Sequence, residues 1–289
     1  MIYICYGITK SASTFLYQIT EEIFLTGGQC ICRIRQPGRF KVENYYDTIT
    51  VPFLERIERK AAGRAVVLKT HGRLDPGVAQ WIRQGRVLAN ASYRDPREMA
   101  LSMVDNGARA RKLGELPFSE IVTIDDAIPS IDLQLSYLKD WIEVSEVERF
   151  SYNEVCFSTE TTIDRLCKQI GIGVDPSLVL SAFRGQELIG QINLAKPLRY
   201  WGMSEQLQQV FLSRYANFYD EMDLGDVYAR QIPDMSHRPR RSLTAHHVGH
   251  YRRFLRRLLT TKNLGTILPV ILPVLTGFID RIHAAIFSF

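Results

Sequence analysis

The sequence predicts an α/β fold, a central and mainly parallel sheet flanked by helices in three layers, with a helical C-terminal tail. Three observations predict it. Short apolar runs alternate with stretches of helical period. The alternation continues from the first residues to about residue 170, the pattern of right-handed βαβ units. The chemistry-bearing residues fall just after the apolar runs, where parallel sheets bind ligands beyond the carboxyl ends of their strands.

The elements follow in order. Ile2 to Tyr6 reads as a strand and Ser13 to Leu25 as a helix. Cys30 to Ile34 reads as a second strand and Glu43 to Ala61 as a helix. Ala65 to Leu68 and Arg86 to Ala91 are the next strands, the latter followed by a helix over Pro96 to Ala108. Asp95 suits that helix's cap and Pro96 its first turn. Lys112 to Pro129 looks loop-rich. Helices over Ile131 to Glu143 and Thr161 to Ile170 bracket a last strand, Arg149 to Tyr152.

With 289 residues, 46% hydrophobic and 23% charged, the chain can bury one large α/β domain and an appendage. Between Asp234 and Asp280 there is no acidic residue but seven Arg and one Lys; without those eight the net +5 becomes negative. The expected division is a catalytic body, 1–236, and a basic, apolar extension, 237–289. Five scattered cysteines fit neither a zinc knuckle nor a redox pair and read as small hydrophobes in a reducing cytosol. The chain opens at once on a strand, so a signal peptide is not expected.

The first chemical cluster is the turn Gly7-Ile8-Thr9-Lys10-Ser11-Ala12-Ser13-Thr14. Amides at a helix start carry the positive end of the dipole and bind anions. Lys10 adds a charge, and Ser11, Ser13 and Thr14 add hydroxyls. The spacing is too short for the triphosphate loop G-x-x-x-x-G-K-[ST], but suits a single phosphate. The alternative is a capped helix with a surface lysine. The second cluster, Lys69-Thr70-His71, ends a buried strand; a neutral imidazole there would accept a proton from an acceptor hydroxyl, or simply support its loop. The third pairs Arg94 with Ser102, eight residues on and about two helical turns away, a pinch for one phosphate or a surface Arg and a packing Ser.

Together these clusters resemble the sulfotransferases that use 3′-phosphoadenosine 5′-phosphosulfate (PAPS). The family's P-K-S-G-T-T-W-L is similar to Thr9-Lys10-Ser11-Ala12-Ser13-Thr14-Phe15-Leu16, its K-T-H to Lys69-Thr70-His71, and its Arg-and-Ser signature to Arg94 and Ser102. "RFSYNEV" is similar to a later family strand. The resemblance runs from Met1 to about Asp223. It departs at Thr9, in place of proline, and at Ala12, in place of glycine, where a Cβ must be tolerated. The family's late basic segment is blurred here as "KPLRYWGMSEQL".

The resemblance implies a P-loop-NTPase-like sulfotransferase fold, PAPS as donor, and in-line sulfuryl transfer without a metal. It implies Lys10 at the leaving group, Lys69 beside it and His71 as base. It implies the amides of Ser11, Ala12, Ser13 and Thr14 at the 5′-phosphate, Arg94 and Ser102 at the 3′-phosphate, Tyr152 near the adenine, and Lys196 and Arg199 as further nucleotide contacts. The expected acceptor group is a hydroxyl, or an amine, of a small molecule, a glycan, a glycolipid or a lipid-linked compound. A kinase of related fold and a noncatalytic membrane-associated scaffold are the rival readings.

The tail has two readings. In "HYRRFLRRLLTTK" apolar residues and arginines take opposite helix faces, and Leu264 to Ile279 is uncharged but only sixteen residues long, short of the ~20 of a membrane span. It is either a peripheral anchor on an anionic membrane surface or a helix docked on the body. Nucleic acid is not expected, since aromatic residues do not interleave the basic ones. The expected location is cytoplasmic, with peripheral membrane attachment through the tail. The acceptor pocket is expected near Gln36 to Tyr46 and Val104 to Lys112.

Overall fold

The computed structural model describes residues 1–34, 44–183 and 197–224. Lys196, most of the Gln36 to Tyr46 wall and the whole 237–289 extension lie outside the described residues.

The elements are β1 (Ile2–Gly7), α1 (Ser13–Thr26), α2 (Val51–Ala61), β2 (Val66–Thr70), α3 (Pro76–Arg83), β3 (Val87–Tyr93) and α4 (Pro96–Leu113). There follow α5 (Ile124–Ile142), β4 (Val147–Ser151), α6 (Tyr152–Phe157), α7 (Thr159–Ile170) and α8 (Pro176–Ser181). A 3-10 turn (Arg199–Gly202) precedes α9 (Glu205–Arg214) and α10 (Ala216–Glu221). The strands form one parallel sheet in the order β2-β1-β3-β4. The chain leaves β1 for one side of the sheet and returns to pair β3 on the other. The β1/β3 junction is therefore a topological switch point, where open α/β sheets hold ligands.

Residues of β1 are buried throughout, as a strand covered on both faces requires. Alternation sends Tyr3 and Cys5 to one face. There Tyr3 meets Phe24 of α1 edge to face and donates to Gln169 of α7, and Cys5 donates to Thr20. Tyr6 faces the other way and stacks on Trp141 of α5, 4.8 Å between ring centroids. The three expected layers are thus helix, sheet and helix.

The expected strand Cys30 to Ile34 does not form. Ile31 makes one parallel bridge to Ala65, and then Asn44 intervenes. The Asn44 amide donates to the carbonyls of Cys32 and Val67 and accepts from Ile34 N, taking the place of a backbone ladder. The carboxyl end of β2 is paired instead by the 44–46 segment, through Lys69 N to Asn44 O and Tyr46 N to Lys69 O. The helix expected from Glu43 begins only at Val51, after Thr50 and with Pro52 in its first turn. The loop-rich stretch shrinks, because Thr123 and Asp126 form a reciprocal capping box that starts α5 seven residues before Ile131. A second box, Ser151 with Glu154, ends β4 and starts α6, so Tyr152 is helical rather than the end of a strand.

Candidate functional site

Three loops meet at the carboxyl edge of the sheet. The first, after β1, is pinned to β3: Ile8 N donates to Ser92 O, and Ser11 Oγ donates to Ile8 O at 2.6 Å and lies 2.7 Å from Ser92 Oγ. Gly7 permits this approach, since a Cβ there would meet Ser92 Oγ at 2.1 Å. Lys10 and Ala12 both adopt left-handed backbone, with φ of 68° and 65°. Left-handed residues within a short turn direct successive N–H groups into one concavity. Ala12 also opens α1, its carbonyl accepting from Phe15 N and Leu16 N. The departure from glycine therefore falls where a side chain is least welcome. From behind, Gln134 Oε1 of α5 accepts Thr9 N, a contact that proline could not make.

The second loop follows β2. Lys69 is buried, and its ammonium donates to Thr14 Oγ1 at 2.7 Å. Burial and the neighbouring Lys10 push the Lys69 pKa down to about 8, against an opposing effect of Cys5. His71 Nδ1 meets the Gly7 carbonyl, so it carries the proton and leaves the lone pair on Nε2. Burial and the charge of Lys69 lower its pKa to about 3, and the imidazole is neutral. Tyr45 shares this corner, 5.5 Å from the His71 ring and 5.7 Å from the Lys69 ammonium. The corner is held tight at Gly72, where a Cβ would lie 1.8 Å from Asp47 O.

The third loop follows β3. Arg94 is buried; its Nη1 donates to Lys10 O at 3.1 Å, its Nη2 pairs with Glu98 at 2.9 Å, and its guanidinium stacks 3.6 Å from the Tyr152 ring centroid. Arg94 thus bridges the switch point. Ser102 lies two turns into α4 and is buried. Arg199, on the 3-10 turn, pairs with Asp105 of α4 at 2.7 Å, while Tyr200 N donates to Glu98 Oε1.

The structure therefore brings Lys10, Lys69, His71, Arg94 and Tyr152 to one edge. It commits both the Ser11 hydroxyl and the Ser11 amide to the loop's own bonding, since each donates to the Ile8 carbonyl. Burial and the positive charges of Arg109 and Arg94 push the Lys10 pKa down to about 8. The Lys10 ammonium faces the Phe118 ring at 5.4 Å and has no carboxylate partner among the described residues. Sequence reasoning missed Glu98, Ser92, Gln134 and Asp105. Glu98 stands four residues after Arg94, the spacing of a helical ion pair, so it had a local signal. Ser92 and Gln134 had none, because their loop contacts span 81 and 125 residues. Among the described residues no group of three His, Cys, Asp or Glu is placed to hold a metal ion, and no helix is long and apolar enough to cross a membrane.

Fold and site define an α/β protein with a strand–loop–helix cradle at the switch point of a parallel sheet. No family model matches the chain, and neither does any curated protein. Solved structures do match. Mouse sulfotransferase SULT7A1 complexed with PAP aligns with 62% of this chain and 61% of its own, at 16% identity and TM-score 0.39. Retinol dehydratase in complex with androsterone and inactive cofactor PAP aligns over 62% of both chains, at 14% identity and TM-score 0.39. The chain thus spans about three fifths of the length of these structures. The functional reading rests on the site's own groups.

Proposed function

We propose that this chain transfers a sulfuryl group from PAPS to a hydroxyl or amine of an acceptor, a glycan, a glycolipid or a lipid-linked small molecule. The observation that carries the reading is a pair of lysines, Lys10 and Lys69, with no carboxylate partner among the described residues, packed with the Glu98-paired Arg94 at one sheet edge beside a neutral imidazole. Buried like charges are costly unless an anion compensates them. A cradle of left-handed backbone at a helix start supplies amides for one phosphate.

These residues fit the donor's 5′ end. The amides of Ala12, Ser13 and Thr14 would hold the 5′-phosphate, with Ser11 bracing the loop through Ile8 O, and Arg94 with Ser102 would hold the 3′-phosphate. Arg94 is held on two sides by Lys10 O and Glu98, so its guanidinium is preorganised. Tyr152 carries the Arg94 guanidinium on its ring and would stand near the adenine, and Arg199, paired with Asp105 beside α4, would be a further nucleotide contact. Lys196 belongs to the same proposal.

PAPS supplies an activated sulfuryl group on a phosphate leaving group. His71 Nε2 takes the acceptor proton as the acceptor oxygen bonds to sulfur. The bond from sulfur to the phosphate oxygen breaks, and Lys10 stabilises the charge left on that oxygen. Lys69 adds positive potential and locks Thr14. An imidazole of pKa about 3 is a weak base. The donor's negative charge would offset Lys69 and raise it toward the working range.

Transfer of labelled sulfate from PAPS to an acceptor panel tests the reading. His71→Ala is expected to lower turnover by at least about a hundredfold, with affinity for 3′,5′-ADP within about twofold. Unchanged turnover would exclude His71 as base. Absence of both transfer and 3′,5′-ADP binding would overturn the reading itself.

A further inference from the structure

A cation that the proposed donor contacts leave unassigned lies on the same face of α4 as Ser102. Arg109 is seven residues from Ser102, so both project from one side of the helix. It is half-buried. Its only hydrogen bond among the described residues runs from Nη2 to Asn106 Oδ1 at 3.0 Å, and its inaccessible Nε–H has no acceptor. No carboxylate pairs with it there. The neighbouring Arg111 is different, because it clamps the 114–123 loop by donating to the Ser119 and Ile121 carbonyls, both at 2.8 Å.

That loop packs on the same turns of α4, its Phe118 and Ile121 carbonyls closing on Gly107. It carries Phe118, whose ring covers the Lys10 ammonium. The Lys10 backbone touches Arg94 just before α4, while its side chain turns toward the clamped loop and Phe118, beside the later turns of α4 that carry Arg109. The positive charge of Arg109 accordingly weighs on Lys10. The donor's 5′-phosphosulfate brings two negative charges, which Lys10 and Lys69 match, and Arg94 is assigned to the 3′-phosphate. Arg109 has no part in the donor contacts assigned above, and it stands on the side of Lys10 away from Arg94.

Resting on the sulfotransferase reading, we infer that Arg109 is a specificity-determining residue that receives a carboxylate or sulfate carried by the acceptor, so that the site selects anionic acceptors. Tyr45 by His71 and Phe118 by Lys10 add aromatic surfaces on which a flat acceptor would lie.

The test uses the full chain saturated with 3′,5′-ADP, titrated calorimetrically with 4-hydroxybenzoate and with its uncharged methyl ester. The carboxylate is expected to bind at least about tenfold more tightly, the size of one charge-assisted hydrogen bond. Arg109→Gln should erase that preference and Arg109→Lys should keep part of it, with melting temperature and 3′,5′-ADP affinity unchanged in both. Equal binding of the two compounds, or binding of neither, overturns the inference. So does a matching loss of 3′,5′-ADP affinity in Arg109→Gln, which would make Arg109 a donor contact. Failure of the wild-type chain to bind 3′,5′-ADP at all would instead count against the sulfotransferase reading.

Discussion

Replacing Ala12 with glycine is expected to stabilise the protein. Ala12 holds φ 65° and ψ 18°, a left-handed conformation in which a Cβ crowds the following carbonyl. That crowding costs about 1–2 kcal/mol for an L-residue. Glycine removes it but adds about 0.4–1 kcal/mol of unfolded-state entropy. The difference is a gain of about 0.5–1 kcal/mol, which raises the melting temperature by roughly 1–4 °C in a domain of this size. The Ala12 carbonyl, which accepts from Phe15 N and Leu16 N, is untouched by the change, so α1 keeps its first bonds. The assay is urea unfolding of the wild type, Ala12→Gly and the control Ala62→Gly. Ala62 is also left-handed, at φ 48°, but ends α2 on the exposed surface. Both variants should shift the midpoint upward. If Ala62→Gly stabilises while Ala12→Gly destabilises by about 1 kcal/mol, the usual penalty for glycine at a right-handed position, then the turn is not built as described.

Two further predictions follow from the same site. Arg94→Ala and Glu98→Ala should each cost about 3–5 kcal/mol, since each strands a buried charge; the double variant should cost less than the sum by at least about 1 kcal/mol, and strict additivity in urea unfolding would refute the pairing. Lys10 and Lys69 have folded pKa values of about 8, below the 10.5 of an ordinary lysine, so between pH 8 and 10.5 the unfolded chain holds protons that the folded one has lost. Their contribution to stability should therefore rise with pH across that window. An anionic nucleotide reverses the shift, so 3′,5′-ADP should bind with proton uptake at pH 8.5 and lose affinity as pH climbs further. Calorimetry in buffers of different ionisation enthalpy measures this, and a pH-independent affinity from 7 to 9.5 would contradict it.

The parallel sheet was legible chiefly because β1 and β2 are buried on both faces and open on continuous apolar runs. Lys10, Lys69, His71 and Arg94 were legible because each sits just past such a run. What failed was non-local. Cys30 to Ile34 has the composition of a strand, but Asn44 takes its hydrogen bonds, and nothing in a local window announces that substitution. The early start of α5 is the opposite case, since Thr123 and Asp126 spell a capping box that Pro129 obscured. The sequence posed Ala12 as a question about room for a Cβ. The backbone shows that conformation, rather than room, sets its cost.

On the proposed function, this edge binds a 3′,5′-bisphosphorylated adenosine through its cations. Calorimetric titration of the full chain with 3′,5′-ADP, 5′-AMP and ATP with Mg²⁺ tests it most directly, alongside Lys10→Asn, which keeps a residue that accepts left-handed backbone. 3′,5′-ADP is expected to bind at least about tenfold more tightly than 5′-AMP, as one more charge-assisted phosphate contact requires, and Lys10→Asn is expected to weaken both. Equal affinity for the two, or tighter binding of ATP with Mg²⁺, would contradict it.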